Sequence, residues 1–397
     1  MEMNTSVSMM HSDKGCEKNV DYAVSLDSKS FEPCDTSLLT CLVRNKNLLF
    51  FLRITGIIWT DPTSSVYVNA LQCVWSCSIR AGLGIMFFWG IGGSLVHNYD
   101  KMSFDTKICL VVYGVTLFLQ ALTLSLSLLV IDRRIKGPAC SNDVLFANAT
   151  LRPSYIVLVT TILQAVIPEV CYIADTSLDR FYALLIGQLS ICFLIAASTF
   201  FLTADCEVAC KLIDQLMELQ RHEKLTFEQF TLVRDDIHRR EKFAYWVNNA
   251  LVLVTLLDVV AVVLFLFLDV LSYGAAYNFA FVISLFLKEL PFLFVVFWNV
   301  AKVNEKSSLF MKETAIRRWT AAVTSTTTKS DASGAGTVVD RENERRDICI
   351  SAQAFPIAYS LAGVRLKRRD LLWQLLVWCI AFIVGILKKL VEDNVAS

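Results

Sequence analysis

Residues 181–221 read FYALLIGQLSICFLIAASTFFLTADCEVACKLIDQLMELQR, and this stretch decides the fold class. Its first part, up to residue 204, is apolar and long enough to cross the roughly 30 Å hydrocarbon core of a bilayer as a helix. The helical pattern does not end there, because apolar residues continue at helical spacing from Leu212 to Leu219. The stretch therefore predicts a membrane helix that extends well beyond the bilayer.

The whole chain has the composition of a membrane protein. Its 397 residues are 55% hydrophobic and 19% charged, with a mean hydropathy of +0.52, which is too apolar for an ordinary soluble domain. Seven stretches have the length and apolarity of a membrane span: 72–96, 108–131, 155–174, 181–204, 245–270, 279–300 and 371–390. The sequence therefore predicts an all-α, polytopic protein with seven transmembrane helices.

An eighth apolar stretch, 38–59, contains Arg44, Lys46 and Arg53. Each of these charges costs about 2.5 to 3.5 kcal/mol near the centre of a membrane helix, so a span is disfavoured. We expect an amphipathic helix at the membrane interface, with its basic residues toward the lipid headgroups. This helix belongs to a cytosolic N-terminal segment, residues 1–71.

Lysine and arginine predict the orientation. Of the 37 basic residues, 30 lie before span 1 or in the connections 2–3, 4–5 and 6–7, and only five lie on the opposite side. Basic loops stay in the cytosol, so the N-terminus is expected in the cytosol and, after seven crossings, the C-terminus outside the cell. The expected location is the plasma membrane.

The cytosolic connections are long and helical. We predict transmembrane helices 1–6 over 72–303, with helices 4 to 6 extended into a cytosolic helical subdomain that includes 204–244. Within it, Thr226-Phe-Glu-Gln229 resembles a capping box that starts a helix leading into span 5. A partly disordered cytosolic linker is expected over 304–347, because residues 320–339 are rich in Ser, Thr, Gly and Ala. Residues 348–397 lead back to the final helix.

Several functional classes find little support. The formal net charge is zero, which removes a bulk electrostatic reason to bind nucleic acid. Four histidines occur, none within a predicted span, and no zincin motif or phosphate-binding glycine loop is present. We therefore predict no enzyme activity, no metal and no cofactor. The 13 cysteines are odd in number, which disfavours a disulfide framework.

Polar residues inside the predicted spans are candidates for ligand binding, because they are costly in a membrane. A purely structural role, pairing between helices, is the alternative for each of them. Glu169 and the Lys288-Glu289 pair lie beside Pro168 and Pro291, where prolines loosen a helix. The candidates are Gln120, Gln164, Glu169, Gln188, Asp258, Lys288 and Glu289.

The end of the chain resembles the arthropod gustatory and odorant receptor family. That family has an apolar, glycine-containing segment, a short basic run with two leucines, and a final helix with the signature Thr-Tyr, five apolar residues and Gln-Phe. Ala354–Gly363 (AFPIAYSLAG) and Lys367–Leu372 (KRRDLL) are similar to the first two parts. Ala381-Phe382, Ile383–Leu387 and Lys388-Lys389 occupy the signature positions. Phe243–Leu251 (FAYWVNNAL) also resembles the asparagine-containing entry to the family's fifth helix.

The resemblance implies a ligand-gated, nonselective cation channel opened by a small-molecule tastant. In the family four subunits meet through their cytosolic helices, and the last helix of each lines one pore. It implies a homo- or hetero-tetramer of related subunits among membrane lipids. It also implies a pore lined by Ala381, Phe382, Gly385 and Lys388.

The signature departs from the family pattern at four positions, of which the change of Tyr to Phe at Phe382 is mild. Alanine replaces Thr, and lysine replaces both Gln and the last Phe, at Lys388 and Lys389. A ring of lysines in a pore repels cations; otherwise Lys388 snorkels to the outer water. A seven-helix transporter, a non-conducting receptor or an assembly partner remains an alternative. A G-protein-coupled receptor requires the reverse orientation, and the hydrolase class of progestin and adiponectin receptors requires a histidine zinc site.

Overall fold

The computed structural model describes residues 33–58, 64–96, 104–140, 143–172, 178–267, 294–316, 335–354 and 357–360, with Arg365, Lys367, Arg368 and Ile380. These residues are mainly helical. The long helices are α3 (Val66–Val96), α4 (Phe104–Lys136), α6 (Arg152–Tyr172), α7 (Leu178–Arg221), α8 (Phe227–Phe267), α9 (294–316) and α10 (Ala335–Ala354). Short elements are β1 (Pro33–Ser37), α1 (Leu38–Val43), α2 (Lys46–Ile54), β2 (Pro138–Cys140) and α5 (Asp143–Ala147).

Helix α7 is the centre of the bundle. It contacts α3, α4, α5, α6 and α8, and almost every side chain from Ser190 to Cys210 is buried. Its 44 residues span about 66 Å, more than twice the thickness of a hydrocarbon core. Within the described ranges, Ile186–Arg221 is the one segment that combines the length and hydropathy of a membrane span.

Helix α7 continues past residue 204 to Arg221, as the apolar pattern beyond residue 204 predicts, and α8 follows from Phe227. The Thr226 hydroxyl accepts from the Gln229 amide and the Gln229 side chain accepts from the Thr226 amide, both at 3.2 Å. This reciprocal capping box ends the turn after α7 and starts α8. Helix α8 then continues for 41 residues without a break.

Four helical segments form what we name the helical extension: residues 205–221 of α7, residues 227–244 of α8, α9 and α10. Asp214 and Arg221 of α7 contact Lys306 and Glu313 of α9, so these two helices run parallel. Helices α8 and α10 are also parallel. Phe230 and Phe310 stack at 5.9 Å between ring centroids and join α8 to α9.

Helix α8 pairs with α10 through polar contacts seven residues apart. The Phe227 amide donates to the Glu344 carboxylate at 2.8 Å, and the Arg234 guanidinium donates to the Ser351 hydroxyl at 2.7 Å. Ile348 and Ala352 of α10 are buried. The start of α10 at Ala335 shows that the disorder predicted for 320–339 is wrong at 335–339, because these residues form the first turns of a docked helix.

One end of the bundle carries the basic loops, and we name it the basic end. Strands β1 and β2 pair there antiparallel, with Pro33 opposite Cys140, and the Leu38 amide donates to the Gly137 carbonyl at 3.2 Å. This strand pair was not predicted. It brings the segment before α1 to the loop between α4 and α6, which the charge distribution assigns to the same side.

The sequence predicts one helix over 38–59, whereas the structure has two shorter helices, α1 and α2. The segment divides into α1 and α2 at Asn45, which caps α2 by accepting from the Leu48 amide at 3.2 Å. Its apolar side chains pack inside the protein, where Phe51 meets Tyr155 and Phe200 at 5.2 and 5.9 Å between ring centroids. The protein's own helices supply the apolar surface that a membrane interface was expected to supply.

Candidate functional site

Two glutamines predicted to bind ligand lie near one another along the α6–α7 contact. Cys192 of α7 donates its thiol to the Thr161 carbonyl of α6 at 3.2 Å. The two helices are antiparallel, so Gln164 on α6 and Gln188 on α7 both lie about one turn from this contact, in the same direction. Both side chains are half-buried. The helix register therefore places them at one level of the bundle.

Gln120 lies at nearly the same level. The Ser127 and Ser198 hydroxyls are 3.2 Å apart, and α4 and α7 are parallel, so Gln120 is level with residue 191 of α7. The buried Gln120 amide donates to the Val254 carbonyl of α8 at 3.4 Å. Position 258, occupied by Asp258, follows one turn later along α8.

These positions form a polar level within an apolar bundle, contributed by α4, α6, α7 and α8. Residue 204 of α7 is next to Asp205, which lies at the basic end of the bundle. Residue 191 lies 13 positions earlier, which is about 20 Å along the helix axis. This arrangement is typical of a small-molecule site, where few polar groups orient a ligand among apolar walls. Glu169 lies in the last turn of α6, farther from the basic end. Lys288 and Glu289 lie outside the described residues.

A buried arginine cluster, Arg240 with Asp143, Asp205 and Asp236, lies where the bundle meets the helical extension. The guanidinium donates to Asp143 at 2.8 Å, to Asp205 at 3.0 Å and to Asp236 at 3.3 Å. All four side chains are almost fully buried. Arg134 of α4 also contacts Asp143, at 2.9 Å. The cluster thus joins α4, α5, α7 and α8 in one network.

The electrostatics of the arginine cluster keep Arg240 charged. Burial alone lowers the pKa of Arg240, but the carboxylates of Asp236, Asp143 and Asp205 outweigh burial and raise the pKa above its usual range. Arg239, half-exposed at the preceding position of α8, also contacts Asp236. A buried charge that is fully paired is costly to break, because its partners would be left buried and unpaired.

The segment that precedes the expected final helix is fastened to α9 and reaches the arginine cluster. Asn304 accepts from the Tyr359 amide at 2.8 Å and donates to the Tyr359 carbonyl at 2.9 Å. Burial raises the pKa of Tyr359 well above its usual range, and the nearby Asp205 adds to this rise. The ring hydroxyl therefore stays protonated next to the cluster.

A second attachment lies closer to the expected final helix. Arg368 pairs with Glu305 at 3.0 Å, and its guanidinium lies 4.4 Å from the centroid of the Trp298 ring. A cation over an aromatic face and a salt bridge together hold one side chain in one orientation. We name residues 357–360 together with Arg365, Lys367 and Arg368 the pre-helix segment, and this segment is thus attached to α9 at two levels.

Arg80, a charged residue in the first predicted span, has a structural role. Its guanidinium donates to the Gly56 carbonyl at 3.1 Å and pairs with Asp132 at 3.4 Å. Gln72 and Ser76 of the same helix donate to the Ile58 carbonyl. The polar face of α3 therefore satisfies the backbone of the turn after α2.

No protein-family model matches the chain, and no curated protein matches it in sequence. Among solved structures, the chain is similar to the insect olfactory receptor OR5 from Machilis hrabei, determined in complex with eugenol. The TM-score is 0.51 at 11% sequence identity, and the match covers 88% of this chain and 99% of the receptor chain. The chain has the fold of an insect olfactory receptor.

In this olfactory-receptor fold, the described residues include most of the predicted ligand positions but not the pore positions. Ala381, Phe382, Gly385 and Lys388 lie outside the described residues, and Ile380, just before them, is exposed. The arginine cluster and the Asn304–Tyr359 pair were not predicted. Arg240 had a signal in the sequence, since it interrupts the apolar stripe Val233, Ile237, Ala244 of α8 at a core position.

Proposed function

We propose that the chain is a gustatory-receptor-like chemosensory receptor, a subunit of a ligand-gated, nonselective cation channel opened by a small-molecule tastant. The observation that carries this proposal is the fold shared with an insect olfactory receptor over 88% of the chain. That receptor was solved with a small molecule, eugenol. The C-terminal part of the chain, residues 354–389, resembles the same family of receptors in sequence. This resemblance is an independent line of support.

The proposed ligand site is the polar level around Gln120, Gln164 and Gln188. Asp258 and Glu169 are proposed to border it, together with Lys288 and Glu289. The support is the helix register, which brings three glutamines from three helices to one height. A ligand that spreads or closes these helices shifts the equilibrium only by its difference in affinity for the two states.

The proposed pore is lined by the final helix, 371–390, with Ala381, Phe382, Gly385 and Lys388 facing the ion path. The pre-helix segment is the proposed connection between this helix and the rest of the subunit. A displacement of α7 or α8 at the ligand level is carried along these continuous helices to the arginine cluster. Tyr359, which lies beside the arginine cluster and contacts Asn304 of α9, then transmits the displacement to the base of the final helix.

The proposed assembly is a tetramer, of this chain alone or with related subunits, in the plasma membrane. Seven spans, a cytosolic N-terminus and an extracellular C-terminus are part of the proposal. The support for the orientation is that Arg44 and Lys46, the basic last turn of α4 and Arg152 lie at the same end of the bundle as the helical extension.

A non-conducting assembly partner is the second candidate. The observation that favours it is the lysine pair at the signature positions, Lys388 and Lys389, since a basic ring in a pore favours anions over cations. The two candidates differ in one respect. A channel subunit conducts alone or with a related receptor, whereas an assembly partner alters another receptor's currents without lining the pore.

The test is expression in cells that lack endogenous chemoreceptors, with a panel of small-molecule tastants and recording of membrane current. Tags at the two termini report the orientation: the N-terminal tag is expected to be hidden on intact cells and the C-terminal tag accessible. The sequon Asn148-Ala-Thr150 is expected to remain free of glycan. A ligand-evoked cation current supports a channel, and a glycan at Asn148 would overturn the orientation.

A further inference from the structure

Five basic side chains border the basic end of the bundle and are exposed: Arg44, Lys46, Arg133, Lys136 and Arg152. They come from three segments of the chain. Arg44 and Lys46 flank the residue that caps α2, Arg133 and Lys136 lie in the last turn of α4, and Arg152 is the first residue of α6. We name these five residues the basic band.

Backbone and side-chain contacts bring these three segments together. The Asn45 side chain, between Arg44 and Lys46, donates to the carbonyl of Ala147, the last residue of α5, at 2.9 Å. The Leu38 amide donates to the carbonyl of Gly137, the residue after Lys136. The band is therefore a surface assembled by the fold, and it is not one run of the sequence.

The band lies at the edge of the exposed apolar surface. On α4, Leu129 is 57% exposed and precedes Arg133 by one turn; on α6, Ile156 is 52% exposed and follows Arg152 by one turn. One helical turn is about 5.4 Å along the axis. The cations therefore lie at the depth of the lipid headgroups when the apolar surface lies in the hydrocarbon core.

The carboxylates near the band are already used. Asp132 pairs with Arg80, and Asp143 lies buried between Arg134 and Arg240. Glu207, next to the start of α6, accepts from the Thr150 amide at 3.0 Å and pairs with Lys211 at 3.2 Å. Among the residues that the structure describes, the exposed carboxylates lie farther down, in the helical extension and its turn: Asp214, Glu218, Glu223, Glu228, Asp235, Glu305 and Asp347. The headgroup level is thus basic, whereas the extension below it has mixed charge.

We propose that the basic band binds the headgroups of anionic phospholipids in the cytosolic leaflet. Each Lys or Arg close to an anionic membrane surface strengthens binding to it, so five together favour a multivalent headgroup such as a phosphoinositide. The bound lipid contacts the ends of α4 and α6 and the cap of α2. The inference depends on the orientation of the chain and not on its conducting ions.

The test uses the purified full-length protein in detergent and a short-chain phosphatidylinositol 4,5-bisphosphate as the probe, with thermal stabilisation and native mass spectrometry as readouts. The variant carries Arg44→Gln, Lys46→Gln and Lys136→Gln. The matched control carries Lys224→Gln, Lys312→Gln and Arg346→Gln, which remove the same charge from exposed positions of the helical extension and of the turn between α7 and α8. Short-chain phosphatidylcholine, inositol trisphosphate and inorganic phosphate are the comparison ligands.

The band variant is expected to lose affinity for the anionic lipid at least tenfold, which corresponds to about 1.4 kcal/mol of binding free energy. The affinity of the control variant is expected to stay unchanged. Both variants are expected to melt like the wild type without lipid, because all six side chains are exposed. Equal losses in the two variants, or no lipid binding by the wild type, would overturn the proposal. Equal competition by inorganic phosphate or inositol trisphosphate would also overturn it, since the site would then select a soluble anion.

Discussion

Asn304 and Tyr359 are joined through both backbone polar groups of the tyrosine, at 2.8 and 2.9 Å. The side chain of the asparagine thus acts as a strand partner for a segment with no regular secondary structure. This contact holds Tyr359 against α9. It places a buried tyrosine ring beside the arginine cluster and makes α9 the support for the base of that helix.

Replacing Asn304 with alanine is expected to free the pre-helix segment. The substitution removes two hydrogen bonds that contribute about 1 kcal/mol each. The backbone amide of Tyr359 should therefore exchange at least ten times faster, as measured by hydrogen–deuterium exchange. Asn299→Ala is the matched control, because the Asn299 side chain donates to the Val295 carbonyl of its own helix. If both variants change exchange at Tyr359 equally, or neither does, the attachment does not depend on Asn304.

Replacing Arg240 with alanine is expected to destabilise the protein by about 3 to 5 kcal/mol, because three buried carboxylates lose their common partner. Arg240→Lys should recover only part of the loss, since an ammonium cannot serve three carboxylates in the geometry of a guanidinium. The measurement is thermal melting followed by size-exclusion chromatography. Arg239→Ala, at a half-exposed ion pair, should cost about 1 kcal/mol or less. Equal losses for the two arginines would contradict a structural role specific to the buried one.

Gly82 allows α3 and α7 to approach closely. A Cβ at this position would collide with the Ser190 side chain and lie 3.3 Å from the Ile186 carbonyl oxygen, whereas a Cβ at Gly84 meets nothing within 4 Å. Gly82→Ala is expected to destabilise by about 1 to 3 kcal/mol through overpacking, and Gly84→Ala to stabilise slightly through helix propensity. Adding Ser190→Gly should partly rescue Gly82→Ala. Melting temperatures that fall equally in both alanine variants would show that the contact is not close.

Replacing Gln164 or Gln188 with leucine is expected to reduce ligand sensitivity at least tenfold while surface expression stays unchanged. A site that hydrogen-bonds its ligand loses this much when a polar partner is removed. The measurement is the ligand concentration that gives half-maximal current. Thr160→Val is a suitable control on α6, because the Thr160 hydroxyl bonds within its own helix. Unchanged sensitivity in both glutamine variants would assign these residues to packing.

The sequence predicted the long helices well because their signals are local. The apolar run to residue 204 and the stripe beyond it predict α7, and Thr226 with Gln229 predicts the start of α8 by a reciprocal cap. The break at Asn45 was missed because the stretch was interpreted only by its hydropathy. Asn45 itself is a favourable capping residue, and this was the signal available.

The arginine cluster was missed for a different reason. Its three carboxylates come from α5, α7 and α8, and α5 has only five residues, so their meeting depends on tertiary packing. The position of Arg240 on an apolar stripe indicates burial but does not identify its partners. The strand pair β1–β2 likewise joins segments about a hundred residues apart, and no local pattern predicts such a pairing.

The central proposal, a ligand-gated channel with the final helix at its pore, is tested most directly by measuring ion selectivity in a Lys388→Gln variant. The wild type is expected to give a ligand-evoked current whose reversal potential shifts toward the cation value in Lys388→Gln, because a basic charge leaves the pore. Lys389→Gln should leave the reversal potential unchanged. A folded, surface-expressed monomer that gives no current in any form, alone or with a related receptor, would contradict the proposal.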